Sequence, residues 1–453
     1  MKKQKETKFD AIVVGGGISG ILTSLALSRE GKNVLVIEKD NVVGGNCRTY
    51  EVDGYHIDTG PHAITNLLNG PLREIIKKYF TVVPRFFPVN TYYVRDHKKL
   101  QEFPLTLVQF AYFDILPRKE RILMSSAMID AVANSSLNKS VLEKSIYDYI
   151  KKYRPSEKTL KLINTTSYFL SGKSMKETPT WRVLGGSGYI DENNNGKKGH
   201  LKKFIKFAKH NYSSQGYPLG GIQSITDCAL NSIPKNKAVF KLNEKVVKFI
   251  IENNTIKGVK TNKNIYHSDI IVYSGFMKDL PNLTDSLDKR YRAELSKLKQ
   301  TKSLTLWLGL KKKLPEISYI GSEVYFDTDI PYWAVPVSNF DSYLAPKNKQ
   351  LIGFTTFIEN EDSSKKVDKL KNTIFKAIPS IKNCIEFEHI QVTIPEKAAV
   401  TIGVKFPSSR SPIKGLYLVG TDTDMRSMGI TRASYSVINV LKFMEEDGFL
   451  LSS

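Results

Sequence analysis

Cysteine is scarce in this 453-residue chain, which has only Cys47, Cys228 and Cys384. Three widely separated thiols supply neither a disulfide framework nor a zinc-binding spacing, and they suit a reducing cytoplasm. The seven histidines are scattered, so no metal site is expected. Long apolar runs are also lacking: none approaches the roughly 20 residues of a membrane-spanning helix. Residues 1–27 begin basic and turn apolar, but the apolar part carries glycines and no small-residue cleavage site, against a signal peptide. Acidic side chains are few beside the basic ones, 45 against 67, for a formal net charge of +22. The lysines follow no RNP, helix-turn-helix or finger pattern, which argues against nucleic acid. No Ser/His/Asp set or carboxylate pair stands out either, the pattern left when a bound cofactor carries the chemistry.

What the chain does have is glycine in a particular place. The apolar run Ala11 to Val14 leads into Gly15-Gly16-Gly17-Ile18-Ser19-Gly20 and a helical run, then a second strand, Asn33 to Ile37, ending at Glu38-Lys39. Gly15 permits the tight strand-to-helix turn, Gly17 lets the backbone approach a pyrophosphate, and Gly20 lets the helix pack close. Ile18 and Ser19 open that helix, whose N-terminal N–H groups attract phosphate. Gly31 suits the helix C-terminus, and Glu38 is placed to accept hydrogen bonds from a ribose diol. The order of strand, turn, helix, second strand and acid predicts an α/β fold with a Rossmann-like dinucleotide domain.

Further blocks extend this loop. Gly44-Gly45-Asn46 follows six residues after Glu38, and the C-terminal part carries Gly415-Leu416-Tyr417-Leu418-Val419-Gly420-Thr421-Asp422 and Gly429-Ile430-Thr431. With these the chain resembles the flavoproteins with two dinucleotide-binding domains: amine oxidases, protoporphyrinogen oxidases, phytoene desaturases and carotenoid isomerases. The resemblance implies FAD, not NAD. Tyr217-Pro218-Leu219-Gly220-Gly221 opening a helix, Phe240 to Ile251 as one strand, Ile256 to Val259 as its partner and Ser268 to Val272 as another strand resemble the desaturase and isomerase branch. There the backbone of a valine, here Val246, receives the adenine. Two departures stand out: Asn46 occupies a place where many relatives carry Arg, leaving Arg48 for any such contact, and Thr421 separates Gly420 from Asp422. Asp422 and Asp424 both remain candidates for the ribityl or pyrophosphate contact.

The resemblance also implies that the N–H groups at Gly429-Ile430-Thr431 face the flavin N1 and O2 edge. It makes Gly60-Pro61-His62 a second flavin-facing loop, with His62 the one titratable catalytic candidate. That loop and the Gly-Gly-Asn block are similar to those of UDP-galactopyranose mutase as well. The expected division is an FAD-binding domain from residues 1–79, 217–278 and 395–453, and a mixed-sheet substrate domain from residues 80–216 and 279–394. Arg118 to Tyr153 reads as a helical segment, and the aromatic stretch Tyr79 to Phe113 as either sheet core or the lining of an isoprenoid tunnel. In Leu201 to Lys209, Leu201, Phe204, Ile205 and Ala208 share one helical face and four lysines the other. The resulting expectation is a cytoplasmic, FAD-dependent oxidoreductase acting on C=C bonds of a lipophilic, isoprenoid substrate, in peripheral contact with anionic membranes. The alternatives are a soluble amine or protoporphyrinogen oxidase, a mutase-like flavoenzyme, and a binding protein like Rab GDP-dissociation inhibitor.

Overall fold

The computed structural model describes residues 9–60, 63–89, 91–96, 99–104, 106–137, 139–184, 214–359 and 362–451. The runs Ala-Ile-Val-Val and Val-Leu-Val-Ile are apolar on both faces, which suits strands covered on both sides, the usual state of a parallel sheet. They form β1 (Ala11–Val14), followed by α1 (Ile18–Arg29), and β2 (Val34–Ile37). The sheet then recruits distant chain: α2 (Gln223–Asn231) precedes β3 (Ala238–Lys241), and β4 (Ile271–Tyr273), β5 (Leu416–Leu418) and α3 (Gly429–Glu446) complete it. All neighbours are parallel, in the order β5-β4-β1-β2-β3. Strand order reverses beside β1, and the crevice outside the carboxyl ends at such a switch point is where ligands bind in open α/β sheets. One apolar cluster packs α1, α2 and α3 under the sheet through Leu22, Ile225 and Val437. The other covers the opposite face with Val246, Val259, Met277 and Leu295.

A seven-stranded mixed sheet stands beside the first. Its order is Ile385–Thr393, Lys302–Leu310, Gln350–Ile358, Tyr332–Val335, Ser322–Tyr325, Tyr92–Asp96 and Lys99–Glu102, antiparallel except where Ser322–Tyr325 meets Tyr92–Asp96. The helix Ser363–Ala377 covers one face through Val367, Leu370 and Ile374. A helical layer including Arg118–Leu137 and Glu157–Ser171 makes a separate core with Phe113 and Phe326. The hairpin Thr49–Val52 and Tyr55–Asp58 reaches from the first sheet to the second, where Tyr55 packs with Trp307 and Leu351. Among the described residues, no helix is long and apolar enough to cross a membrane.

Two local readings change. Phe240 to Ile251 is two strands, because β3 ends at Lys241 and the next strand, Val246–Glu252, belongs to a three-stranded antiparallel sheet. The break lies at Asn243, left-handed at φ +53°. There the chain wraps the end of β2, the Asn243 N–H donating to Asp40 O and the Glu244 N–H to Glu38 O. The helical segment Arg118 to Tyr153 is likewise interrupted: Ser145 is an N-cap whose hydroxyl accepts from the Asp148 N–H, so a new helix starts there. Of the aromatics between Tyr79 and Phe113, Tyr79 and Phe80 join the first core, Phe110 and Phe113 the helical core, and Tyr112 lies exposed.

Candidate functional site

At the carboxyl end of β1 the backbone turns through Gly15, left-handed at φ +103°, where the Ser274 carbonyl oxygen would stand 3.1 Å from any Cβ. Gly20 admits no side chain, since a Cβ there would lie 2.0 Å from the Gly15 oxygen, so this glycine lets α1 close on its strand. Gly17 is the reverse case. It is the N-cap of α1 without a side-chain cap, and a Cβ there would meet nothing within 4 Å. An uncapped helix N-terminus facing open space is the geometry that accepts an anion. Gly44 and Gly45 form its rim: the Gly44 N–H donates to Gly16 O at 2.7 Å, and Gly45 lies against the Gly17 Cα.

Glu38 ends β2 with its carboxylate turned into this loop. It accepts the Gly16 N–H at 2.6 Å and the Asp40 N–H at 2.9 Å. An ionised carboxylate has about four acceptor sites, so capacity remains beyond those two bonds. Lys39 beside it is exposed. The Asn46 side-chain amide donates to Ile394 O at 2.6 Å and Arg48 Nε to Gly45 O at 3.0 Å, so both tie the loop to the protein. Val246 is buried two residues beyond the contact of Glu244 with Glu38.

The opposite wall comes from β4, β5 and the segment ahead of β5. Asp422 is 1% exposed; its Oδ2 accepts the Met277 N–H at 2.8 Å, while its Oδ1 and the buried Ser274 Oγ have no hydrogen-bond partner. Burial raises the Asp422 carboxyl above its ordinary range. Lys397 Nζ donates to Ser274 O at 2.6 Å and Gly275 O at 3.1 Å, and burial lowers its pKa against the pull of Asp422, Glu38 and Glu396. A Cβ on Gly420 would stand 2.8 Å from both Asp422 Oδ1 and Lys397 Nζ. Asp424 is engaged elsewhere, paired with Arg426 at 2.6 Å and accepting from Asn439 at 2.9 Å.

At the start of α3, the Gly429 N–H donates to the Glu396 carboxylate, which also faces the buried Arg432 guanidinium at 3.4 Å. Ile430 packs in the first core, and the Thr431 hydroxyl donates to Thr65 O at 2.9 Å. Gly60 donates its N–H to Gln391 Oε1 at 2.9 Å. Pro61 and His62, and the lysine-rich stretch Leu201 to Lys209, lie outside the described residues. Cys47 is buried and its thiol is pushed up to about 12, so it stands as a neutral packed side chain. Among the described residues, no group of three or more His, Cys, Asp or Glu is arranged to hold a metal.

The site therefore collects Gly15, Gly17, Gly20, Glu38, Gly44, Gly45, Gly420 and Asp422 around one crevice, and adds Ser274, Lys397 and Glu396, which sequence reasoning missed. These residues fit a dinucleotide: an open anion cradle, an acidic side chain at the end of β2, and two buried polar atoms without protein partners.

Comparison with known proteins agrees. The family described as an NAD(P)-binding Rossmann-like domain matches residues 13–79. An uncharacterised protein of the nifH2 3' region of Methanothermococcus thermolithotrophicus is 50% identical over 21% of this chain and 92% of its own length. A 1-hydroxycarotenoid 3,4-desaturase of a Flavobacterium species is 25% identical over 68% of this chain and 64% of its own length. Prolycopene isomerase of Daucus carota is 22% identical over 95% and 79%. Among solved structures, an oxidoreductase from Methanosarcina mazei superposes with a TM-score of 0.78 at 19% identity, covering 95% of this chain and 99% of its own. Rab GDI of Plasmodium falciparum superposes at 0.59 and 16% identity, covering 99% and 100%.

Proposed function

We propose, from the premise that this chain belongs to the superfamily of flavin-dependent oxidoreductases that includes carotenoid desaturases and isomerases, that it binds FAD and acts on a C=C bond of a polyisoprenoid. The observation that carries the reading is the crevice itself. An uncapped α1 N-terminus, the Glu38 carboxylate and the orphaned Asp422 Oδ1 and Ser274 Oγ converge on the switch point of one parallel sheet.

FAD, when bound, supplies the acceptor or donor of a hydride. The chain supplies binding and position. The α1 N-terminus at Gly17, Ile18 and Ser19 holds the pyrophosphate, and the remaining lone pairs of Glu38 take the ribose hydroxyls. Asp422 Oδ1 accepts from a ribityl hydroxyl, with Lys397 beside it offsetting its charge. Val246 borders the adenine, and Gly60 and the start of α3 at Gly429 border the flavin ring. The described residues of 1–79, 217–298 and 395–453 are assigned to the FAD-binding domain and the other described residues to the substrate domain, the expected boundary at 278 moving to 298 because Leu280, Leu287, Leu295 and Leu298 pack in the core against the parallel sheet. A GDI-like binding protein shares the fold, and the open helix N-terminus at Gly17 with the Glu38 carboxylate beside it favours a nucleotide-binding enzyme. The desaturase and the isomerase, matching over 68% and 95% of the chain, favour the isoprenoid substrate over an amine.

The test is the lipid extract of cells with and without the gene. A polyisoprenoid differing by two hydrogens marks desaturation or saturation, and one of equal mass but altered retention marks isomerisation. An unchanged isoprenoid profile in cells that contain the flavin-loaded protein contradicts the proposed substrate class.

A further inference from the structure

The stretch from Ile394 to Lys397 is fastened along its length. The Asn46 amide donates to Ile394 O at 2.6 Å, the Glu396 carboxylate accepts the Gly429 N–H, and the Lys397 backbone N–H donates to the Thr421 hydroxyl at 2.9 Å. Asn46 and Thr421 are the two positions at which the chain departs from the flavoproteins it resembles. Both departures thus act on one short segment, and together they set the backbone from which the Lys397 side chain leaves.

That side chain ends in the crevice. Its ammonium donates to Ser274 O at 2.6 Å and Gly275 O at 3.1 Å, just beyond the carboxyl end of β4. The same Ser274 oxygen would stand 3.1 Å from a Cβ on Gly15, so the ammonium sits beside the glycine loop. Gly420 leaves it room, since a Cβ there would lie 2.8 Å from Lys397 Nζ. An ammonium has three donors, and the two carbonyls use two of them. Among the described residues no carboxylate bonds the third: Asp422, Glu38 and Glu396 act on the desolvated cation only through space. A desolvated ammonium with an open donor lacks the anion that ordinarily pairs such a charge.

We propose, on the dinucleotide reading of this crevice, that Lys397 binds the pyrophosphate in place of the arginine that many relatives carry at position 46, and that Asn46 and Thr421 hold the lysine there. Charge balance calls for such a group. A pyrophosphate brings a negative charge on each phosphate into a crevice that already holds Glu38, Asp422 and Glu396, whereas the α1 N-terminus offers only about half an elementary charge. The open N–H of Lys397 supplies the missing cation in a charge-assisted bond. Arg48 and Arg432 are directed elsewhere, the first to Gly45 O and the second to Ser427 O and the Glu396 carboxylate.

The experiment is titration of the full chain, freed of bound nucleotide, with FAD, ADP and adenosine, the last of which has no phosphate. It compares wild type with Lys397→Gln, whose amide keeps a donor for Ser274 O. The variant should bind FAD and ADP at least about tenfold more weakly and adenosine as wild type does. Adding Asn46→Arg to Lys397→Gln should restore most of the ADP affinity by returning a cation to position 46. Equal ADP affinity in Lys397→Gln and wild type overturns the assignment. So does an equal loss for adenosine, which would reduce the lysine to a prop of the loop. ADP binding that depends on Lys397 in a protein that takes up no FAD would instead count against the flavin and leave the role of the lysine standing.

Discussion

Asp422 and Lys397 face each other across Gly420, and burial shifts them in opposite directions, each against its charged form. Burial raises the folded carboxyl of Asp422, opposed by Lys397 and reinforced by Glu396, above the unfolded value near 3.9. The folded state therefore holds its proton to higher pH than the unfolded chain. Stability from this group is present below the unfolded pKa and is lost as pH rises through the folded one. Asp422→Asn removes that penalty. In the flavin-free protein it should raise stability by about 1–2 kcal/mol at neutral pH, with the gain shrinking toward pH 4, while weakening FAD binding. Thermal melts across pH check this, and a gain independent of pH contradicts it. Lys397→Met should act the other way, leaving the Ser274 and Gly275 carbonyls without their ammonium and Asp422 without its neighbouring cation. A loss of about 2 kcal/mol is expected, and denaturant melts at fixed pH would show it.

The two glycines at the ends of the turn separate folding from binding at the scale of one helix. Gly20→Ala forces a Cβ to 2.0 Å from the Gly15 oxygen, so α1 must lift from β1, at about 3 kcal/mol or more. Gly17→Val projects into open space from an extended backbone, φ −71° and ψ 173°. It should change apoprotein stability by only about 1 kcal/mol, the scale of a poor N-cap, while abolishing flavin uptake. Melting and flavin content measured on both variants test the pair; a flavin-loaded Gly17→Val protein would displace the phosphate loop from this site. These positions were legible in the sequence because a strand, a turn and a helix within ten residues fix their own geometry. Asn243 was not: its left-handed turn is made by backbone bonds to the end of β2, some two hundred residues earlier. Lys397 and Ser274 were illegible in the same way, since only the parallel pairing of β1, β4 and β5 brings them beside Gly15.

Across the whole molecule, the junction between the two sheets turns on Gln391. Its Oε1 accepts the Gly60 N–H and the Trp307 indole N–H at 2.9 and 3.1 Å. Its Nε2 donates to the Tyr50 hydroxyl and to Asp58 O at 2.6 and 2.9 Å. Asp58, 1% exposed, accepts in turn from Thr49, Tyr217 and the Ile222 N–H. One side chain thus fixes Gly60 against the seven-stranded sheet. Gln391→Leu should cost about 2–4 kcal/mol by stranding buried donors and loosen flavin by displacing Gly60; denaturant unfolding and flavin dissociation read the two effects. The central claim, that the crevice at the end of β1 holds FAD, is tested most directly by denaturing the purified protein and identifying the released chromophore by mass. FAD near one per chain, or one equivalent taken up on reconstitution, is the predicted result. Colourless protein that takes up no added FAD would contradict it.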